Sequence, residues 1–438
     1  MAGPDPTPSA AGLARVVGVP GAVLLGLGSI VGTGVFVSIG VAAGIAGPSV
    51  VVAVALAALV ATFNGLSSAQ LAASHPVSGG TYEYGYRYLS PALGFTAGWM
   101  FLCAKSASAA TAALGFAGYV LAALDVDARW ARIGLAAATV AAVTAVVAGG
   151  MRRSNRTNAI VVVVTLLGLG AFVAAGLPAA IAGAPAHLGG AFAGADARDL
   201  LHATALMFVA YTGYGRIATL GEEVTEPTRT IPRAIVATLW ATMLLYVAVV
   251  AVAVGAVGAG ALAAATRQAA APLEVVADQL AVPAVGYLVA IAAATAMIGV
   301  LLNLVLGLSR VVLAMGRRGD VPPALATIDA GSPRRAVVVT GAAIAGLTLL
   351  GSVETTWSFS AFTVLVYYAL TNLAALRLPA EHRRYPRAVA GLGLISCLGL
   401  AGWVEPRIWI AGLALLAIGL GARTLGRRWW SAPHRRVG

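Results

Sequence analysis

Residues Gly26 to Phe36 read G-L-G-S-I-V-G-T-G-V-F, which puts four glycines inside an apolar stretch otherwise long enough to cross a membrane as one helix. Glycine disfavours helix interiors, so the segment is built to break. In hydrocarbon an unpaired backbone amide costs several kcal/mol, and a break survives only where it is buried in protein or lines a cavity. Whatever fills that cavity must satisfy the freed backbone groups.

The rest of the chain supplies the membrane setting. Of its 438 residues 60% are hydrophobic and 10% charged, and mean hydropathy is +0.90, outside the range of soluble domains. Apolar runs of bilayer length can be placed twelve times: Ala22 to Ala43, Ser49 to Leu71, Pro91 to Leu124, Ala131 to Ala148, Asn158 to Ala180, Leu201 to Leu220, Ala234 to Ala256, Gly286 to Leu313, Ala336 to Leu350, Phe359 to Ala375, Val389 to Val404 and Ile408 to Leu420. The last four are short. The expectation is an all-α polytopic membrane protein with the lipid bilayer as solvent.

Basic residues near span ends stay on the cytoplasmic side. Taking alternate loops as cytoplasmic puts twenty-one arginines there, from Arg15 to Arg436, against Arg129, Arg132, Arg198, Arg267 and Arg407 opposite. Both termini are therefore expected inside, in the plasma membrane. The net charge of +12 reads as a topology signal, and no nucleic-acid partner is inferred. Residues 1–18 are polar and proline-rich with no cleavage site after a short apolar core, so the first span is expected to stay. Cys103 and Cys397 fall inside spans and read as small packing residues. The five histidines show no ligand spacing, and no phosphate-cradling G-x-x-x-x-G-K-[ST] is present, so no metal and no cofactor is expected.

A second break is expected near the sixth span, where Phe208 to Gly221 reads F-V-A-Y-T-G-Y-G-R-I-A-T-L-G. Interrupted segments at corresponding positions of two halves point to a transporter with inverted repeats and a midplane site. Glycines that let helices pack closely are the alternative.

Four motifs then carry a family resemblance. The first span resembles the G-S-x-I-G-x-G-I-F signature of the amino acid-polyamine-organocation (APC) permeases through Gly28, Ser29, Val31, Gly32, Thr33, Gly34 and Phe36. Ser78 to Tyr82 is similar to their P-x-G-G-x-Y loop, and Glu222-Glu223-Val224 with Pro227, Arg229, Ile231, Pro232 and Ala234 to their E-E-V-x-x-P-x-R-x-I-P-x-A segment. Arg310 to Pro323 resembles their R-x-x-x-A-M-A-R-D-G-x-x-P stretch.

The resemblance implies a leucine transporter-type 5+5 inverted repeat with discontinuous helices 1 and 6. Residues 1–18 would form a cytoplasmic tail, 19–183 the first repeat, 184–378 the second, 379–424 helices 11 and 12, and 425–438 a basic tail. It also implies a secondary active amino acid transporter working by alternating access. The half-helix after Val31 would offer its N–H groups and positive dipole end, at Gly32, Thr33 and Gly34, to a substrate carboxylate. Carbonyls at Ile30, Val209, Ala210 and Thr212, beside Gly213, would accept from the ammonium.

Departures narrow the reading. Several proton-coupled members carry a lysine in the fifth span where, aligned on Asn158, this chain has Thr165; cation transporters commonly place an acid where it has Gly215, followed by Arg216. A neutral amino acid, moved by proton symport or exchange, is therefore expected over the alternatives, an amino acid/polyamine antiporter or a non-transporting enzyme or sensor. No nucleophile-base pair supports catalysis. Lys105 is the one lysine in the chain and falls at mid-membrane depth. It reads as a proton carrier, as a countercharge for a substrate carboxylate, or as a side chain that snorkels to water. Arg216, just past the second break, can instead reach water or Glu222. Glu222 and Glu223 read as a gating ion-pair cluster with nearby arginines.

Overall fold

The computed structural model describes residues 17–75, 79–150, 155–189, 196–218, 224–280, 282, 284–328 and 332–430. The helices are α1 (Val19–Ile30), α2 (Ile39–Ala46), α3 (Val50–Ser74), α4 (Thr81–Tyr88), α5 (Pro91–Ala123), α6 (Arg129–Ala148), α7 (Asn155–His187), α8 (Ala197–Tyr211), α9 (Gly215–Ala218), α10 (Pro227–Val257), α11 (Ala259–Ala269), α12 (Pro272–Asp278), α13 (Ala284–Arg317), α14 (Arg334–Thr348), α15 (Val353–Leu376), α16 (Arg387–Trp403) and α17 (Pro406–Trp430). A helix satisfies all its interior backbone groups within one segment, the condition for crossing hydrocarbon. Eight described helical stretches are long and apolar enough to cross, with α1 and α16 shorter but also apolar. Starts are encoded locally: Ser90 accepts from Leu93 N–H ahead of Pro91, and Ser352 accepts from Thr355 N–H ahead of Val353.

Both expected breaks are present. After α1 the regular ladder ends with Val31 N–H on Leu27 O at 2.8 Å. It resumes with Val35 and Phe36 N–H on Gly32 O, each at 3.1 Å, and a π-helical turn over Gly34–Ser38 leads into α2. In the second case α8 passes through a 3-10 turn at Thr212–Tyr214 into α9. The breaks touch one another. A Cβ at Gly213 would overlap the Ser29 carbonyl, and one at Gly34 would overlap Ala210. Here glycine lets two unwound backbones meet.

The helices α5, α3, α8, α10, α13 and α15 surround the breaks and bury the core. At one face, Val17 pairs with Val224, and Thr225 N–H donates to Val17 O at 3.0 Å, tying the lead into α1 to the segment after α9.

Three stretches read as loops from the sequence are helical. The helix α4 is only eight residues, too short for a periodic signal, and is held by its buried Tyr82 and Tyr84. The helices α11 and α12, between α10 and α13, cap the opposite face from the arginine-rich loops. A Cβ at Gly40 would overlap Thr266, and one at Gly118 would overlap the Ala269 carbonyl, so this pair seats tightly on α2 and α5.

Candidate functional site

A cavity of about 530 Å³ begins where the two breaks meet, at Ser29, Lys105, Thr212 and Gly213. It runs past Asn303 and Tyr368 to Arg310, Arg317 and the start of α4. None of its lining side chains among the described residues is acidic. A larger hollow of about 720 Å³ lies between α6 and α14, touches neither break, and is lined mainly by small apolar residues.

Lys105 closes the inner end. Fourteen residues beyond Pro91, about 21 Å along α5, it is 8% exposed, so it does not snorkel. Its Nζ donates to Thr212 Oγ1 at 2.7 Å, and that hydroxyl donates to Val209 O at 2.7 Å. The ammonium is thereby fixed to the second break by a neutral acceptor. No carboxylate lies within ion-pair distance of it among the described residues.

Three of the four carbonyls expected to face a ligand, those of Ile30, Val209 and Thr212, already have donors. Tyr246 OH donates to Ile30 O at 2.9 Å and Tyr368 OH to Thr212 O at 3.2 Å, while Val209 O also accepts the Thr212 N–H. Ala210 packs on Gly34, and a Cβ at Gly32 would meet Val300 of α13. Thr33 is 4% exposed, and its Oγ1 is buried without a hydrogen-bond partner among the described residues. It is a buried, unpartnered polar group at the first break, and the described lining of the cavity does not include Gly32, Thr33 or Gly34. Arg216 is exposed and lines the cavity on its way to the arginine-rich end. Glu222 and Glu223 lie outside the described residues. Thr165 is buried and bonds its own helix at Val161 O, 2.7 Å; Asn158 donates to Leu24 O at 3.1 Å beside Gly28.

Sequence reasoning missed the tyrosines that satisfy these breaks. Tyr119 OH donates to Phe36 O at 2.8 Å, completing a set with Tyr246 and Tyr368. The signal was there to use: a buried tyrosine in an apolar helix usually places its hydroxyl on an acceptor, and unwound carbonyls are available ones. It also missed the cluster at the cavity mouth. Asp320 accepts from Tyr82 OH at 2.8 Å, from Tyr86 OH and from Arg423 Nε at 2.7 Å, while Arg318 pairs with Glu83 at 2.6 Å.

The sequence matches the amino acid permease family over residues 21–423. The chain belongs to that family. It is 40% identical to an uncharacterized transporter of Mycobacterium tuberculosis over 94% of this chain and 91% of the relative. A branched-chain amino acid permease of Bacillus subtilis is 28% identical over 90% of this chain and 89% of its own. The methylthioribose transporter of the same organism is 26% identical, over 91% and 92%. The protein is thus an APC-type polytopic membrane transporter.

Proposed function

We propose that this permease moves a neutral amino acid across the plasma membrane by alternating access, with both termini and the arginine-rich loops cytoplasmic. Transport is driven by proton symport or by exchange. The observation that carries the reading is the Lys105–Thr212 hydrogen bond at the inner end of a cavity with no acidic side chain among its described lining residues. Among the described residues a cationic side chain would find no countercharge there. The substrate carboxylate is assigned to the first break at Gly32, Thr33 and Gly34, where Thr33 Oγ1 stands unpartnered. The ammonium is assigned to the Ile30 carbonyl of the first break, now held by Tyr246, and to the Thr212 and Val209 carbonyls of the second, now held by Tyr368 and by Thr212. The branched-chain specificity of one relative's name supports an apolar side chain.

Lys105 is proposed as the proton carrier. A buried ammonium held only by a hydroxyl is costly to keep charged, and the break's backbone groups already provide for one carboxylate. The test is uptake and counterflow in proteoliposomes, with substrates first found by thermal shift against the twenty amino acids and methylthioribose. In Lys105→Ala, exchange should persist while gradient-driven accumulation and its pH dependence vanish. Loss of affinity by about 1.5–3 kcal/mol at every pH would make Lys105 a carboxylate ligand instead. Wild-type affinity, accumulation and pH profile would remove it from the mechanism.

A further inference from the structure

The pair α11–α12 holds a polar group that the substrate site does not use. Glu274, in the first turn of α12, is 6% exposed, and its Oε2 is buried with no hydrogen-bond partner among the described residues. The residue before it is wired to the first break: Leu273 N–H donates to Tyr119 OH at 3.3 Å, and Tyr119 OH donates to Phe36 O in the π-helical turn. The pair also seats on Gly40 and Gly118 with no room for a side chain at either position.

We propose that Glu274 is a proton-binding residue of the outer lid, carrying a proton when α11–α12 is seated on the first break and releasing it to outside water when the pair lifts. An ionised carboxylate enclosed here would be an uncompensated charge, which burial does not tolerate. Among the described residues, the elements around it offer no cation to offset one. On α12 itself the facing group is Asp278, of like charge. On α11 the charged residue is Arg267, which is exposed and reaches towards Gly44. Arg132 of α6 donates to Gln268 O at 2.6 Å. His187 of α7 sits at Gly258, with Nδ1 on Gly255 O at 2.8 Å. From α5 the facing group is the Tyr119 hydroxyl; the outer parts of α10 and α13 bring no charge, and Tyr287 of α13 is exposed. Closing the lid therefore takes a proton from outside water, COO⁻ becoming COOH, and opening returns it.

Burial, and then the Asp278 carboxylate, push the Glu274 carboxyl up to about 8 from its ordinary 4.5. A group whose proton is held more tightly in the seated form favours that form fully below its free value and less as pH rises towards its seated value. Between about pH 5 and 8 the seated population should fall by up to tenfold per pH unit relative to the lifted one, then level off.

The experiment is hydrogen–deuterium exchange of the intact protein in lipid nanodiscs between pH 5 and 9, corrected for intrinsic exchange, read at the amides of Leu262 to Ala277. Protection is expected to fall at least threefold per pH unit up to about 8. Glu274→Gln, which cannot ionise, should give a flat profile; Asp278→Asn should keep the slope but end it at lower pH. Protection independent of pH in the wild-type protein would overturn the proposal, as would a wild-type slope in Glu274→Gln. No substrate is needed, so failure here leaves the transport reading standing, and failed uptake leaves this result intact.

Discussion

The Asp320–Arg423 pair can be tested by removing one partner and then both. Arg423 Nε donates to Asp320 Oδ1 at 2.7 Å, its Nη2 donates to Tyr86 OH at 3.0 Å, and its guanidinium lies 5.1 Å from the Phe95 ring centroid. The two side chains are 8% and 0% exposed. Stripping one partner from a buried pair typically costs about 3–5 kcal/mol, because the remaining charge stays buried. In Arg423→Met the Asp320 carboxylate keeps the Tyr82 and Tyr86 hydroxyls, so the expected loss is near the lower end, about 3 kcal/mol. Asp320→Asn leaves the guanidinium facing Tyr86 and should cost a similar amount. The double variant removes both charges and keeps an apolar stem on Phe95, so it should be more stable than either single variant. Denaturation by sodium dodecyl sulfate in mixed micelles, followed by helical signal, gives the three values and the coupling between them. Single losses under about 1 kcal/mol, or a double loss equal to the sum of the singles, would show that the pair is in effect solvated, and the reasoning would fail.

Two further outcomes are expected. Gly213→Ala should destabilise the protein by about 1–3 kcal/mol and abolish substrate-induced thermal stabilisation, because the new Cβ meets the Ser29 carbonyl; Gly170→Ala, with open space around it, serves as the neutral control, and equal behaviour of the two would refute the contact. For topology, Arg384→Cys should resist an impermeant thiol reagent applied outside intact cells and react after permeabilisation; labelling from outside would invert the orientation.

The breaks were legible because glycine in an apolar span is a local signal, and G-S-I-V-G-T-G and Y-T-G-Y-G each carry it. Lys105 was legible for the same reason, as a charge at bilayer depth. Its partner was not, since Thr212 lies 107 residues away and nothing local links them. The same holds for Asp320 and Arg423, which are 103 residues apart in sequence. Each reads alone as a charge at a boundary, and only the return of α17 to the end of α13 makes them a pair. Short helices escape for a different reason. The seven residues of α12 complete barely two turns, so their helicity comes from the surfaces they cap, and a sequence window contains only the residues themselves.

The two faces of the molecule are consequently held by different chemistry. At the arginine-rich face the contacts around the cavity mouth are ionic: Asp320 with Arg423, and Glu83 with Arg318, the latter also lying over the Tyr86 ring at 4.1 Å. At the other face the proposed lid, α11–α12, is held by close backbone packing on Gly40 and Gly118 and by the Tyr119 hydroxyl, with the buried Glu274 carboxyl and, among the described residues, no cation beside it. The partly exposed Glu83–Arg318 pair is screened by salt and the buried Asp320–Arg423 pair much less, whereas seating a buried acid responds to protons. Alternating access across this bundle should therefore show a salt dependence arising at one face and a pH dependence arising at the other. Lys105, hydrogen-bonded to the second break between them, would as the proposed proton carrier add a proton-linked step from the middle. Glu274→Gln and Lys105→Ala should consequently remove separable parts of the pH profile of transport, the first in the equilibrium of the lid and the second in accumulation; identical profiles for the two variants would mean that a single proton site serves both.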